Sequence, residues 1–505
     1  MDHRVPAALI GLLLLATGIR LAGLTREPFW YDEVCSFELS RGGIAKVVET
    51  AAKDSSPFLF YLGVAGWRGL FGDSEAAMRG FSLAFSIAGM AGAFLLARDL
   101  SRSARSGLIA AGLIAVNPVD IYFAQEARMY THVATLLTFG SWFLWRWLRS
   151  VLEKRGYAAQ TAWALAFVFA STVAIFTHYL AALAVGAQGT FGLVVFVRGR
   201  DWRSVRILAA GAALSVATFL PWRLYVSRFR DNLYFVHGLR WMTPPSLWDA
   251  TGRLFHELIW GAGTRWGAAG TAQIVLSAAA ALLVIAGLTW VLGRRALPPG
   301  AGTDASTLRP SVALIYSACL VLGPVFLVVV LSHAYHPLFY RPRFAMLVVL
   351  PFLVTVALTV TALPRRALQT ASLAFIGGLM IAGSFAQFRA HTKTGMLEFA
   401  ALWHRLGPPA FVVFVPTYTA EMARYYLHLP VKSASKPEIE AALSGGHDVE
   451  IWLCKDRHPV TAPSPEERDL LAWLPRLGVV APLGKYDVYD VVRIVTGASA
   501  KIPPS

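Results

Sequence analysis

Charged side chains are scarce in this sequence. Only 15% of its 505 residues are Asp, Glu, Lys or Arg, whereas 56% are hydrophobic, and the mean hydropathy is +0.53. Soluble domains typically contain about 25% charged residues, so this composition excludes an ordinary soluble enzyme. The chain is predicted to be a polytopic α-helical membrane protein.

Cysteine is also scarce. Cys35, Cys319 and Cys454 are odd in number, far apart and without CxxC spacing. This pattern predicts neither a disulfide framework nor a cysteine metal site. Internal repeats are missing as well, although transporters commonly contain them.

Positive charge exceeds negative charge, with a net charge of +16. The Lys and Arg residues lie in short clusters between apolar runs rather than on one basic arm. This distribution argues against nucleic acid as a partner and indicates membrane topology instead.

Eleven apolar runs have about the length that a helix needs to cross a bilayer. The predicted spans are residues 5–24, 79–97, 106–122, 129–147, 158–177, 179–197, 207–226, 268–292, 311–332, 343–363 and 367–386. The first run is long and lacks a small-residue cleavage site, so it is predicted to be an uncleaved span.

A further apolar segment, residues 57–72, begins with Pro57, contains Arg68 and is short. We predict that it lies on the membrane surface. The Arg-rich and Lys-rich clusters between spans then fall on the side of the amino terminus, which the positive-inside rule makes cytoplasmic. If the segment instead spans the membrane, the orientation inverts, and the rule alone tolerates that alternative.

This topology predicts a transmembrane domain over residues 1–390 with two long loops outside the cytoplasm, 25–78 and 227–267. Aromatic residues are frequent in loop 227–267, as expected either for a lid over a substrate or for an interfacial aromatic belt. Residues 391–505 alternate strand-like and helix-like patterns and predict a small extracytoplasmic α/β domain.

The first loop opens with the stretch FWYDEVCSF, in which Asp32 and Glu33 are adjacent. A short helix is predicted from Asp32, ending at Gly42 and Gly43. A carboxylate at a helix start is stabilised as the anion. Asp32 could therefore act as a helix cap or as a base.

Three more polar clusters lie at span ends on the same predicted side: residues 124–130 (AQEARMY), 176–180 (FTHYL) and 336–344 (HPLFYRPRF). Burying charged groups is costly unless they are paired or used. Arginines bind phosphate through paired hydrogen bonds, although one arginine alone could equally anchor the interface. A base and several arginines at one face suggest a phosphate-carrying lipid as substrate or leaving group.

Five motifs occur in an order that resembles the bacterial GT-C glycosyltransferases of the protein O-mannosyltransferase and lipid A aminoarabinose transferase type. They are WYDE, SSPFLFY (55–61) with Asp54 directly before it, FGDSEAAMRGFS (71–82), NPVDIYFAQEARMY (117–130) and FYRPRFAMLVVLP (339–351). Two departures are Ser56, where the family has His, and Phe344, where it has Tyr.

The resemblance implies a polyprenyl-phosphate sugar donor, a first loop with two juxtamembrane helices, and transfer at the outer face of a bacterial inner membrane. It assigns Asp32 as the catalytic base. The side chains predicted to bind substrate are Glu33, Asp54, Arg79, Glu126, Arg128, Tyr130, His178, Arg341 and Arg343.

Some of these residues have alternative roles. Glu126 could form an ion pair with Arg128, and His178 could be a packing residue or a metal ligand. A divalent metal is therefore possible, but the sequence does not specify one.

The predicted function is inverting transfer of a sugar to a hydroxyl group of a glycolipid, polysaccharide or protein. The alternatives are a transporter or flippase for a lipid-linked sugar and an inactive envelope scaffold. Clustering of ionisable residues at one face favours transfer, because transporters usually place such groups near the bilayer midplane.

Overall fold

The computed structural model describes residues 4–54, 56–229, 243–261, 270–293, 310–335, 337–339, 341–389, 396–444, 449–456, 463–486 and 489–496. The chain divides into two compact units. The larger comprises Met1–Thr25 and Leu39–Ala390, and the smaller comprises Arg26–Glu38 and His391–Ser505. The stretch that contains Asp32 is thus grouped with the carboxyl-terminal residues.

The larger unit is helical, apart from the turns and loops that connect its helices. From the amino terminus to the middle of the chain, the helices are α1 Arg4–Ala22, α2 Tyr31–Leu39 (mostly in the smaller unit), α3 Ile44–Ala51, α4 Leu59–Phe71, α5 Glu75–Ser101, α6 Ala104–Ala115, α7 Pro118–Ala124 and α8 Tyr130–Leu152. They continue with α9 Tyr157–Thr177, α10 Ala181–Arg198, α11 Trp202–Ser227, α12 Leu254–Trp260, which follows a π-helical turn at Asp249–Arg253, α13 Gly270–Gly293, α14 Pro310–Ala334, α15 Arg341–Thr361 and α16 Arg366–Arg389.

Within the described residues, nine helices are long and apolar enough to cross a membrane, and the pair α6–α7, bent by 63°, could form a tenth span. These correspond to ten of the predicted spans. The remaining one, 129–147, is α8, whose 23 residues are long enough to cross but include polar side chains such as His132 and Thr135. The fold of a multi-pass helical membrane protein is confirmed.

Burial differs sharply between the spans. The apolar window of Arg343–Thr361 is 94% buried inside the protein, whereas that of Arg4–Ala22 is only 11% buried. A helix that is apolar all round and buried must lie inside a bundle. Helix α15 is therefore central, and α1 is peripheral.

The first loop folds into short helices. Helix α4 has 13 residues, which corresponds to a length of about 20 Å at 1.5 Å per residue. This length is too short for a bilayer span and agrees with the predicted surface location of residues 57–72. Together with α2 and α3 the loop contains three short helices, one more than the resemblance implies.

A buried polar network ties α1 to α5 and to the bend between α6 and α7. The Arg20 guanidinium lies 3.4 Å from the Asp120 carboxylate, with both side chains almost fully buried. Ser86 accepts a hydrogen bond from Arg20 Nε at 2.8 Å and donates one to Asp120 at 2.9 Å. Buried charges persist only when they are paired and hydrogen-bonded, so this network fixes the geometry of the bend.

We expect Ser86→Ala to lower the free energy of unfolding by about 1–3 kcal/mol, because it leaves the buried Arg20 Nε without its acceptor. The measurement is denaturant or thermal unfolding of the purified protein in detergent. Ser317→Ala is the matched control, since Ser317 is also buried but bonds only the Leu314 carbonyl of its own helix among the described contacts. Equal destabilisation by both changes would contradict the network role.

The smaller unit contains a four-stranded sheet in the order β1-β2-β4-β3. The strands are β1 Phe411–Val415, β2 Glu450–Asp456, β3 Gly478–Lys485 and β4 Tyr489–Thr496. Strands β1 and β2 pair in parallel, and the other neighbours pair antiparallel. The helices of this unit beyond α2 are α17 Leu397–Leu406, α18 Ala420–Leu427, α19 Lys436–Ser444 and α20 Pro465–Trp473.

Alternation along the strands sends side chains to two separate cores. Phe414 and Trp452 pack with α17 and α18 on one face of the sheet. Val413 and Ile451 pack with Ile439 of α19 and with α20 on the other face. The predicted small carboxyl-terminal α/β fold is confirmed.

Candidate functional site

Helix α2 carries the predicted base. It begins at Tyr31 and ends at Leu39, close to the predicted bounds, and Gly42 follows with a positive φ of 95°. Asp32 is the second residue of the helix, so Trp30 occupies the cap position. The Trp30 N–H points to Glu33 Oε2 at 3.5 Å, so Glu33 rather than Asp32 carries the capping interaction.

Arg79 lies near the start of α5 and is 1% exposed. Its Nη1 donates to the Leu24 carbonyl at 2.8 Å and lies 3.8 Å from Glu75 Oε2. The first of these contacts fixes the end of the segment that follows α1. The described contacts thus give Arg79 a structural partner, and substrate binding by Arg79 stays a prediction.

The loop between α7 and α8 carries Glu126 and Arg128, both buried. Ser82 on α5 holds this loop, because its hydroxyl donates to the Arg128 carbonyl at 3.0 Å. Its own carbonyl accepts from the Thr131 hydroxyl at 2.9 Å. The chain position of Arg128 is therefore fixed by α5 rather than by the loop alone.

His178 lies between α9 and α10. Its Nδ1 accepts the Leu180 N–H at 3.1 Å, so the proton of the neutral ring is on Nε2. Burial lowers the pKa of His178 to about 3, and the positive charges of Arg128 and Arg343 act in the same direction. His178 is thus a neutral Nε2–H donor at pH 7.

Two arginines distant in the sequence converge on this histidine. Arg128 comes from the loop before α8, and Arg343 lies in the first turn of α15, yet both act electrostatically on His178. The Tyr130 ring centroid is 6.1 Å from that of His178. The structure therefore brings together four of the predicted residues, which we call the arginine–histidine cluster: Arg128, Tyr130, His178 and Arg343.

A second group of side chains surrounds Asp54. The Tyr61 hydroxyl donates to Asp54 Oδ2 at 2.6 Å. Burial raises the pKa of Tyr179 to about 12, and the Asp54 charge adds to this increase. Trp222 Nε1 donates to the Tyr179 hydroxyl at 3.0 Å. We call Asp54, Tyr61, Tyr179 and Trp222 the aspartate–tyrosine cluster.

The sequence prediction selected only Asp54 from this second cluster. Tyr61 lies in the same motif as Asp54, and Tyr179 lies in FTHYL, so their motifs were found but their roles were missed. Trp222 lies inside α11 and has no such signal. The predicted site residue Arg341 cannot be placed, because its side chain lies outside the described residues.

The cluster chemistry suits an anion. Among the described residues, no group of three or more His, Cys, Asp or Glu side chains could hold a metal ion. One nitrogen of His178 already accepts a main-chain hydrogen bond, and two guanidinium charges act on its ring. Paired N–H donors on cations match phosphate or carboxylate oxygens.

The predicted lid cannot be assessed over its whole length. Residues 230–242 and 262–269 of loop 227–267 lie outside the described part of the chain. The described part contains the π-helical turn and α12, and the Leu258 carbonyl of α12 accepts from Asn117 Nδ2 at 2.8 Å. A lid stays a prediction.

We expect His178 to make stability fall with acidification. The folded pKa is about 3 and the ordinary value is 6.5, so the unfolded chain binds the proton at higher pH. The contribution is complete above about pH 6.5 and is lost as the pH falls towards 3.

Between pH 7 and pH 5, the wild-type protein should therefore lose about 1 kcal/mol more stability than His178→Asn. The asparagine oxygen can still accept the Leu180 N–H, yet it does not titrate. Thermal unfolding in detergent at both pH values measures the difference. Parallel losses in the two proteins would contradict the assignment.

Comparison with known proteins gives a family and a fold. The model of the family described as dolichyl-phosphate-mannose-protein mannosyltransferase matches residues 54–225. This range contains Asp54, Tyr61, Arg128 and His178. No curated protein sequence matches the chain.

The structural matches extend over nearly the whole chain. ArnT from Cupriavidus metallidurans in the apo state aligns with a TM-score of 0.61 and 14% identity, covering 98% of this chain and 99% of that one. The same enzyme bound to undecaprenyl phosphate aligns with a TM-score of 0.58 and 14% identity over the same shares. The apo oligosaccharyltransferase of Archaeoglobus fulgidus aligns with a TM-score of 0.52 and 11% identity, covering 90% of this chain and 70% of that one.

At these identities, the matches show the fold. The expected resemblance to the GT-C group of protein mannosyltransferases and ArnT is confirmed. Both units of the chain have counterparts, because the match to ArnT covers 98% of the residues.

Proposed function

We propose that this chain is an inverting glycosyltransferase that moves a sugar from a polyprenyl-phosphate donor to an acceptor hydroxyl. The convergence of Arg128 and Arg343 on His178 carries this proposal, because it joins two cations and a neutral N–H donor. The undecaprenyl phosphate bound to ArnT supports a lipid-linked phosphate as the ligand.

In this proposal, the arginine–histidine cluster binds the donor phosphate. Guanidinium groups donate paired hydrogen bonds to phosphate oxygens. His178 Nε2–H supplies a further donor without adding charge. These three groups come from α15 and from the loops that precede α8 and α10, so their spacing depends on the helix packing described above.

Transfer proceeds in one displacement. Asp32 takes the proton of the acceptor hydroxyl, and the oxygen forms a bond to the sugar C1 on the face opposite the phosphate. The bond from C1 to the phosphate oxygen breaks, its electron pair stays on that oxygen, and polyprenyl phosphate leaves with the anomeric configuration inverted.

The arginines act mainly on the transition state. As the C1–oxygen bond breaks, negative charge accumulates on the departing phosphate. A fixed cation therefore stabilises the transition state more than the ground state, which is the condition for a higher kcat. A base at Asp32 adds proton abstraction, worth about 10²- to 10⁴-fold.

The aspartate–tyrosine cluster is proposed to recognise the sugar or the acceptor. Asp54 has two carboxylate oxygens, and Tyr61 is the hydroxyl donor that the structure describes for one of them. Carboxylates accept hydrogen bonds from sugar hydroxyls. Glu33, Arg79 and Glu126 remain weaker candidates, and Arg341 is proposed on the motif alone.

We further propose that transfer occurs at the outer face of a bacterial inner membrane, with the amino terminus in the cytoplasm. This orientation places the clusters of Arg and Lys between spans on the cytoplasmic side. It also places the span ends that carry His178 and Arg343 outside, where a lipid-linked sugar would serve as donor for an envelope acceptor.

A transfer assay with purified protein tests the function directly. The protein is incubated with a panel of radiolabelled polyprenyl-phosphate sugars and with glycolipid, polysaccharide and protein acceptors. Labelled product that depends on Asp32 supports transfer. Translocation of the donor across vesicles without product would favour a flippase, and neither activity with any pair would contradict the proposal.

A further inference from the structure

The segment that carries Asp32 is held by two tyrosines of the carboxyl-terminal domain. The Tyr426 hydroxyl donates to the Phe29 carbonyl at 2.6 Å, across a separation of 397 residues. The Tyr425 ring lies 5.7 Å from Phe29 and 5.1 Å from Phe37 in an edge-to-face arrangement. Both tyrosines belong to α18.

These contacts bracket Asp32 along the chain. Phe29 precedes helix α2, and Phe37 lies near its end, so the Tyr425 ring contacts residues on both sides of Asp32. Tyr31, at the start of the helix, packs against the core that α17 and α18 form with the sheet. The segment is thus restrained at its entry, its first residue and its last turn.

Helix α2 needs such restraint. It has nine residues, and isolated helices of fewer than about 12 residues are marginal in water. Edge-to-face aromatic contacts and a hydrogen bond to a main-chain carbonyl each stabilise by a modest amount. Their combined effect is to fix both the position and the rotation of the helix that carries the carboxylate.

We infer that Tyr425 and Tyr426 are positioning residues through which the carboxyl-terminal domain holds Asp32 in its working geometry. The inference rests on the proposed function of Asp32. It gives the carboxyl-terminal domain a role in the reaction, although neither tyrosine is assigned to the reacting atoms.

The physical reason is the geometric demand on a base. Proton abstraction needs the carboxylate within hydrogen-bond reach of the acceptor hydroxyl, and a misplacement of about 1 Å can lower the rate about 10²-fold. A helix that is free to shift or rotate would spend less time in that geometry. The loss appears in kcat, because binding of donor and acceptor does not require the base.

The test compares two substitutions with a matched control. Tyr426→Phe removes only the hydroxyl that bonds the Phe29 carbonyl, and Tyr425→Leu removes the ring that contacts Phe29 and Phe37. We expect kcat to fall about 3- to 10-fold with Tyr426→Phe and about 10-fold or more with Tyr425→Leu, with both KM values within about 2-fold of wild type. Tyr425→Phe, which keeps the ring, should recover most of the rate.

Tyr489→Phe serves as the control. It also removes a buried tyrosine hydroxyl that bonds a main-chain carbonyl, that of Thr419 at 3.0 Å, in the same domain. It should lower stability without a specific loss of kcat. If Tyr489→Phe and Tyr426→Phe lower kcat equally, the effect is general destabilisation, and the positioning role is overturned.

A second measurement keeps the inference separate from the proposed function. Hydrogen–deuterium exchange of residues 31–39 should rise in Tyr425→Leu while exchange in β1 and β2 stays unchanged. Unchanged exchange in residues 31–39 would overturn the inference whatever the activity. Increased exchange in a protein without transfer activity would instead contradict the proposed function and leave the structural restraint intact.

Discussion

Asp32→Asn is expected to lower kcat for sugar transfer by about 10²- to 10⁴-fold, the contribution of a positioned general base. The amide occupies nearly the same volume as the carboxylate, but it cannot take the proton of the acceptor hydroxyl. The capping interaction at the start of α2 comes from Glu33 to Trp30, so the helix should persist in this variant.

Binding and catalysis should separate in the same variant. Purified Asp32→Asn should bind polyprenyl phosphate within about 2-fold of wild type, since the phosphate is assigned to the arginine–histidine cluster. Glu38→Gln is the control, because it removes another carboxylate from the same helix and should retain most of the activity. Transfer by Asp32→Asn at close to the wild-type rate would reject the base assignment.

Arg343→Ala is expected to lower kcat by about 10²- to 10³-fold, the range found when one preorganised donor to a developing anion is removed. Arg343→Lys keeps the charge but loses the planar pair of donors, so its loss should be smaller, roughly 10-fold. Initial rates at saturating donor, with the dissociation constant for polyprenyl phosphate measured in parallel, distinguish transition-state loss from weaker binding.

The control for charge removal is Arg206→Ala, since Arg206 is an exposed residue of α11 whose Nε bonds its own helix at the Trp202 carbonyl. Arg128→Ala combined with Arg343→Ala should be non-additive, because both arginines act on the same histidine. Fully additive losses would indicate that the two arginines act at separate sites.

Much of the membrane fold follows from local pattern. A run such as residues 343–363 has the length and hydropathy that only a span satisfies, and α15 indeed occupies Arg341–Thr361. The strand pattern of FVVFVP likewise became β1. Such patterns are read within 20 residues, and their physical cause is burial of each segment against lipid or core.

Contacts between distant segments could not be predicted in this way. The pairing of Arg20 with Asp120 spans 100 residues, and each residue alone looks like an ordinary charge near the end of an apolar run. Trp222 sits inside a predicted span with nothing to indicate that it bonds Tyr179. Likewise, Asp32 was predicted from its neighbours and a motif order, but its grouping with residues beyond 390 has no local signal.

That grouping has a consequence for biosynthesis. Phe29 emerges from the ribosome 397 residues before Tyr426, the partner of its carbonyl. At about 5–20 residues per second, the Phe29–Phe37 stretch waits roughly 20–80 seconds before its docking partner exists. During this interval, the helices of the membrane domain are being inserted. The last step in assembling the molecule is thus the return of its final domain to one of its first segments, and a nascent chain released early would carry Asp32 on a helix with nothing to hold it.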